Sequence, residues 1–172
     1  MKISDILKCM MYQRGSSYAY TLAVHISGSE EEFVKEMNSL CTELGLKGTE
    51  FKSVCGGDID SGYTTAYDIA VIMKVFLEDV RLREIFLSRE PVSIDRGYSE
   101  SVCLVVKNDF FEKYCTESQS QSDGLIGGKS GCIGYSGWAV AVFERNEKEY
   151  ISVVTESGTA FSDTLIMYSA FI

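Results

Sequence analysis

The sequence predicts an α+β domain over residues 1–172, with helices packed on an antiparallel sheet. Helical periodicity dominates the first half, about residues 1–88, and short β-prone runs dominate the second half, about residues 89–172. With 45% hydrophobic residues, the 172-residue chain can build one core, but it is too short for two large domains.

Two short helices are predicted near the start of the chain. Ser4 can cap the first, which runs to about Tyr12, and Ser16 or Ser17 opens the second. The only histidine, His25, lies on this second helix. Because it sits among apolar residues of that helix, we interpret it as a structural residue and not as a catalytic base.

Two longer helices follow. Ser29 and Glu32 form a capping box ahead of a run with helical spacing, which Gly45 closes. Thr65 with Asp68 starts the next helix. Its predicted apolar face is Ile69, Ala70, Met73, Phe76 and Leu77.

The second half begins after a short helical piece at about Leu82 to Phe86. Its β-prone runs are Pro91 to Arg96, Val102 to Lys107, Trp138 to Glu144 and Tyr150 to Thr155. The last two runs flank Arg145 to Lys148, which predicts a hairpin, and a final helix is predicted from Ser162 to Ile172.

Charge and hydropathy exclude two classes of partner. The formal net charge is −9, whereas nucleic-acid binding depends on clustered Lys and Arg that neutralise phosphates. No apolar run approaches the roughly 18 to 20 residues of a membrane span, and the first residues lack the apolar region of a signal peptide. The sequence as written therefore predicts a cytoplasmic chain that binds neither nucleic acid nor membrane.

Metals and cofactors are not expected. The six cysteines form no CxxC or CxxH pair, so we expect no zinc site. An even number of cysteines could form three disulfides, but a chain with this much apolar content does not need them, so we expect free, mostly buried thiols. They are Cys9, Cys41, Cys55, Cys103, Cys115 and Cys132. The loop Val54 to Gly62 contains Asp58 and Asp60 but lacks the closing Glu of a calcium-binding EF-hand loop, so we assign it no metal.

The segment with the most chemical character is Asp123 to Gly131, a glycine-rich approach to Lys129-Ser130-Gly131. Glycines allow another part of the chain to come close to the backbone. The segment taken alone fits two interpretations, a binding site with a close backbone approach or a glycine-rich turn with a surface lysine. The surrounding sequence distinguishes between them.

Those surroundings resemble the serine-type D-alanyl-D-alanine carboxypeptidases, which are low-molecular-mass penicillin-binding proteins with SxxK, SxN and KTG motifs. Lys129-Ser130-Gly131-Cys132 and the following hairpin resemble the KTG strand of that family. Further similar segments are His25 to Ser29, Gly62 to Ala70, Asn108 to Phe111 and Met167 to Phe171. The resemblance covers about Ile3 to Phe171 and implies a partial β-lactamase/transpeptidase-like fold.

The resemblance implies a serine nucleophile activated by a lysine one helical turn later. No serine in this sequence has a lysine at the third following position, so SxxK is absent. The second motif is degenerate, because Arg14-Gly15-Ser16 stands where the family has Ser-Gly-Asn. In the third motif, Lys129 and Ser130 would hold a terminal carboxylate, and Cys132 would give one N–H of the oxyanion hole.

In the family, SxxK lies before the part that this sequence resembles, on a helix entered from N-terminal strands of the sheet. The sequence therefore looks like an N-terminally truncated copy whose sheet lacks those strands, and we expect self-association, rearrangement of the first helix, or a second chain. The expected ligand is a D-Ala-D-Ala peptide or a β-lactam. The resemblance also implies a place outside the cytoplasmic membrane, where members of the family act, in conflict with the cytoplasmic prediction from the sequence as written. The first hypothesis is a carboxypeptidase-family domain that is inactive as a lone chain.

Three alternatives stay open. The chain could be one half of a two-chain enzyme, or a non-catalytic module that binds an anionic ligand with Arg14 and Lys129. It could also be an interaction partner without any ligand.

Overall fold

The computed structural model describes residues 2–13, 15–56, 62–95, 103–117 and 124–171. The helices are α1 (Ile3–Tyr12), α2 (Ser16–Ser27), α3 (Glu30–Glu43), α4 (Ala66–Glu78), α5 (Val80–Leu87), α6 (Asp109–Glu117) and α7 (Ala160–Phe171). The strands are β1 (Glu50–Phe51), β2 (Gly62–Tyr63), β3 (Val92–Asp95), β4 (Cys103–Val106), β5 (Leu125–Ile133), β6 (Ser136–Arg145) and β7 (Lys148–Ser157). This arrangement confirms the predicted α+β class.

The predicted helices of the first half are present, and most of their caps are as expected. The Ser29 hydroxyl accepts a hydrogen bond from the Glu32 N–H at 3.2 Å, and Gly45 follows α3 with a φ of +72°. The Thr65 side chain caps α4 through the Asp68 N–H. The predicted cap at Ser4 is wrong, because α1 begins at Ile3 and Ser4 lies within it.

The main sheet has the order β5-β6-β7, and both of its strand pairs are antiparallel. The predicted hairpin joins β6 to β7, with Asn146 and Glu147 at φ values of 52° and 61°. Positive φ at both central residues gives a turn whose twist matches that of the strands. The smaller β3–β4 pair is also antiparallel, as the two β-prone runs predict.

Helices cover both faces of the main sheet. On one face, Val142 of β6 packs with Leu77 of α4 and Phe86 of α5. On the other face, Phe143 packs with residues of α6 and α7, including Phe110 and Phe161. Neighbouring residues of β6 thus contribute to two separate clusters, which follows from the two-residue period of a strand.

A third cluster lies where α1 meets the β3–β4 pair. Cys9 and Tyr12 of α1 pack with Val92 and Val106, and the Tyr12 hydroxyl donates a hydrogen bond to the Glu90 carbonyl at 2.9 Å. These contacts fix the C-terminal end of α1 beside the main sheet. Among the described helices, none has both the length and the apolar character that a membrane span requires.

Candidate ligand-binding cleft

Strand β5 carries the Lys129-Ser130-Gly131 segment, and its glycines let helices approach closely. A Cβ added at Gly128 would lie 2.1 Å from Cε1 of Phe110, and one added at Gly127 would lie 2.6 Å from Cδ2 of Leu87. The alternative interpretation as a glycine-rich turn is therefore wrong, because the glycines lie in a strand beneath packed side chains.

The Lys129 ammonium is held at the C-terminal end of α1. Its Nζ donates hydrogen bonds to the carbonyl oxygens of Met10 at 2.7 Å, Gln13 at 2.9 Å and Met11 at 3.4 Å. The last carbonyls of a helix have no partner within the helix and carry the negative end of its dipole. These carbonyls therefore offset part of the cost of burying the cation, and their hydrogen bonds tie α1 to β5.

Burial lowers the pKa of Lys129 to about 8, because removal from water disfavours the charged amine. The carboxylate of Asp109 opposes this effect by favouring the ammonium form. Lys129 is therefore a partly buried amine and not a surface lysine, and its charge changes in a range close to neutral pH.

Two clefts lie along β5, and both are lined by Lys129, Ser130, Gly131 and Cys132. The smaller has a volume of about 270 Å³ and is also lined by residues of the degenerate second motif, Gly15 and Ser16. Arg14 lies outside the described residues. The structure thus brings the described positions of the second and third motifs to one cleft.

The larger cleft, of about 670 Å³, combines aromatic side chains with polar ones. Trp138 lies over β5, since a Cβ added at Gly131 would be 2.7 Å from the indole Cζ2. Lys113 lines the same cleft and places its Nζ 4.6 Å from the ring centroid of Phe161. This cleft can accept a ligand that is partly apolar and carries an anionic group.

The turn between β7 and α7 lines one side of the larger cleft. The Ser157 hydroxyl donates a hydrogen bond to the Asp163 carboxylate at 2.5 Å, and the Thr159 hydroxyl donates one to the same carboxylate at 3.0 Å. Glu156, just before this turn, has a φ of 56°. The carboxylate therefore serves as an anchor for the first turn of α7.

Several residues at the site were not predicted from the sequence to be site residues. Met10, Met11 and Gln13 act through backbone carbonyls, so side-chain chemistry gives no signal for them. Asp109 lies on α6, a helix that the sequence-based prediction lacks. Cys55 lines the smaller cleft from the loop after β1.

Within the described residues, no group of three or more His, Cys, Asp or Glu side chains could hold a metal ion. Asp58 and Asp60 lie outside the described part of the chain. His25 is exposed on α2. Of the four cysteines whose side chains are described, Cys9 and Cys41 are buried, so the expected burial holds for half of them.

Comparison with known protein families gives one match over most of the chain. Residues 1–159 match the family described as D-alanyl-D-alanine carboxypeptidase. The curated protein DacF of Bacillus subtilis, a D-alanyl-D-alanine carboxypeptidase, is 42% identical over 78 residues, which are 45% of this chain and 20% of that protein. DacA of Escherichia coli, with the same description, is 36% identical over 78 residues, covering 45% of this chain and 19% of that protein. The match thus spans about a fifth of the length of these relatives.

Solved structures share the fold along the whole chain. A D-alanyl-D-alanine carboxypeptidase from Mycobacterium tuberculosis H37Rv aligns with a TM-score of 0.80 and 19% identity, covering 100% of this chain and 65% of that chain. A serine-to-alanine mutant of the Streptomyces K15 DD-transpeptidase aligns with a TM-score of 0.81 and 23% identity, covering 99% of this chain and 68% of that chain. These likenesses establish the penicillin-binding-protein-like fold.

Proposed function

Because this chain belongs to the D-alanyl-D-alanine carboxypeptidase family, we propose that it binds the D-Ala-D-Ala end of peptidoglycan stem peptides along β5 without cleaving it. One observation carries this proposal. Lys129 and Ser130 place a cation and a hydroxyl in the same cleft as Gly15 and Ser16 of the second motif. A cation with a neighbouring hydroxyl is suited to a terminal carboxylate, and β-lactams would occupy the same cleft.

The hydrogen bonds of Lys129 indicate how a carboxylate would bind. An ammonium has three N–H donors, and Nζ of Lys129 contacts three carbonyl oxygens. The 3.4 Å contact to Met11 is the longest of them, so it is the one that an entering carboxylate oxygen displaces most easily. The Ser130 hydroxyl then donates to the other carboxylate oxygen.

The proposal of binding without cleavage is supported by the sequence of residues 1–172, in which no serine is followed by lysine at the third position. Without an adjacent general base, a serine hydroxyl is a weak nucleophile. After incubation with benzylpenicillin, we expect intact-mass spectrometry to show an unchanged mass. A stoichiometric covalent adduct would show that one of these serines is a working nucleophile.

Peptide binding tests the proposed site directly. We expect calorimetry to detect binding of an N-acylated tripeptide ending in D-Ala-D-Ala, and the Lys129→Met variant to bind at least about tenfold more weakly, because a hydrogen bond to a charged group contributes about 1.5–3 kcal/mol. Lys148→Met, at the exposed first residue of β7, is the matched control and should bind like the wild type. Equal affinity of the wild type and Lys129→Met would refute the assignment of Lys129.

A two-chain enzyme is the second candidate, and the edge of the sheet favours it. Among the described strands, β7 is hydrogen-bonded to β6 only. Ile166 and Met167 of α7 and Tyr150 of β7 are exposed apolar side chains. An open edge with apolar neighbours is a template for strand addition, so a second copy or another chain would pair with it.

Light scattering of the purified chain tests this second candidate, and we expect dimers or larger species at micromolar concentration. Proline should reduce association when it replaces a β7 residue whose N–H points away from β6, because proline cannot donate a hydrogen bond to an added strand. A monodisperse monomer at all concentrations would argue against a second chain.

A further inference from the structure

The smaller cleft has a cysteine on each of two separate elements. Cys55 lies in the loop after β1, and Cys132 lies near the end of β5. Both side chains are exposed, whereas Cys9 and Cys41 are buried. The two thiols that line this cleft are therefore open to reagents that cannot reach the other two.

The two cysteines line the same cleft, which has a volume of about 270 Å³. Many of the other lining residues are small, namely Gly15, Ser16, Ala19, Gly56, Ser130 and Gly131. The Cys55 sulfur is directed to the wall of the cleft, where Sγ donates a hydrogen bond to the Ser16 carbonyl at 3.1 Å.

We propose that Cys55 and Cys132 are a thiol pair that a low-molecular-mass disulfide oxidises to an intramolecular disulfide across this cleft. In the first step, one cysteine thiolate attacks a sulfur of the small disulfide, whose S–S bond breaks and releases one small thiol. In the second step, the other cysteine thiolate attacks the protein sulfur of the mixed disulfide and expels the second small thiol. Two protein thiols are oxidised, and one small disulfide is reduced to two thiols.

The loop that carries Cys55 has local hydrogen bonds as well as one from the Val54 N–H to the Glu30 carboxylate at 3.0 Å. The N–H groups of Cys55 and Gly56 both donate to the Ser53 hydroxyl, at 3.0 and 3.2 Å. A Cβ added at Gly56 would have no heavy atom within 4 Å, so this side of the loop is open. A disulfide requires Cα atoms about 4.4–6.8 Å apart, so its formation ties this loop to β5 and narrows the cleft beside Lys129.

The test uses oxidised glutathione as the small disulfide and the full chain as the protein. Intact-mass spectrometry should show the loss of two hydrogens with no retained glutathione, and peptide mapping should link the peptide of Cys55 to that of Cys132. Trp138 is the only tryptophan and lines the same cleft, so acrylamide should quench its fluorescence less after oxidation.

Serine variants separate the pair from the other cysteines. Cys132→Ser should retain one glutathione on Cys55, Cys55→Ser should retain one on Cys132, and Cys41→Ser should still form the linked peptide. Two retained glutathiones on the wild type, a link to any other cysteine, a link between two chains, or no reaction would each overturn the proposal. The mapping is done on the wild type, so it does not depend on the folding of a variant.

Discussion

The Phe143→Ala variant is expected to unfold with about 4 kcal/mol less free energy than the wild type, because large-to-small changes of buried Phe cost about 3–5 kcal/mol. Phe143 lies on the central strand β6 and is 0% exposed. Its ring stacks on Tyr168 with centroids 4.3 Å apart, and it packs with Phe110, Phe161 and Leu125. Truncation leaves a cavity between the sheet and the helices α6 and α7. The neighbouring aromatic rings cannot fill this cavity without losing their other contacts.

Urea unfolding followed by far-UV circular dichroism measures this loss. Tyr150→Ala is the matched control, because Tyr150 lies directly opposite Phe143 on β7 but is 39% exposed. We expect this control to lose less than about 1.5 kcal/mol, since most of the cost of truncation arises from burial. A loss below about 2 kcal/mol for Phe143→Ala would show that this cluster does not carry the stability of the sheet.

The same cluster shows why one helix could not be predicted from the sequence. Helix α6 places Phe110 and Phe111 next to each other, and both rings are buried. Adjacent apolar residues do not show the spacing of three or four that marks an amphipathic helix. The helices α3 and α4 do show this spacing together with a side-chain cap, and their limits were predicted closely.

Strand β5 is an element that could not be predicted from the sequence pattern either. Glycine is disfavoured in strands, so residues 125–131 read as a turn when taken alone. The structure requires these glycines because Phe110, Leu87 and Trp138 occupy the space that a Cβ would take. Such contacts join distant parts of the chain, and only the resemblance to a family with a strand at this place could indicate them.

At the site, the sequence identified the cation but not its partners. Lys129 was recognised through its motif, whereas the three oxygens around its Nζ belong to the backbone. Any residue type can supply a carbonyl, so side-chain identity carries no information about this contact. The position of α1 decides it, and that position depends on Tyr12 and Cys9 packing against the β3–β4 pair.

Burial of the Lys129 amine leads to a second large effect, which is a rise of the free energy of unfolding with pH. The pKa of Lys129 is about 8 in the folded chain and 10.5 when unperturbed. Between these values the unfolded chain still binds the proton that the folded chain has released, so the free energy of unfolding increases with pH. The total gain is about 3 kcal/mol, because one pKa unit corresponds to about 1.4 kcal/mol.

Urea unfolding at pH 7 and pH 9.5 should therefore show about 2 kcal/mol of added stability from this one group, because that interval covers most of the window. Other lysines and the tyrosines also titrate there, so the quantity to compare is the difference between the wild type and Lys129→Met. Lys148→Met controls for the loss of one exposed lysine.

Peptide binding should weaken as the pH rises through about 8, since the carboxylate requires the ammonium form. Parallel pH profiles of the free energy of unfolding for the wild type and Lys129→Met would mean that the amine is solvated. The hydrogen bonds of Lys129 between α1 and β5 would then not exist in solution.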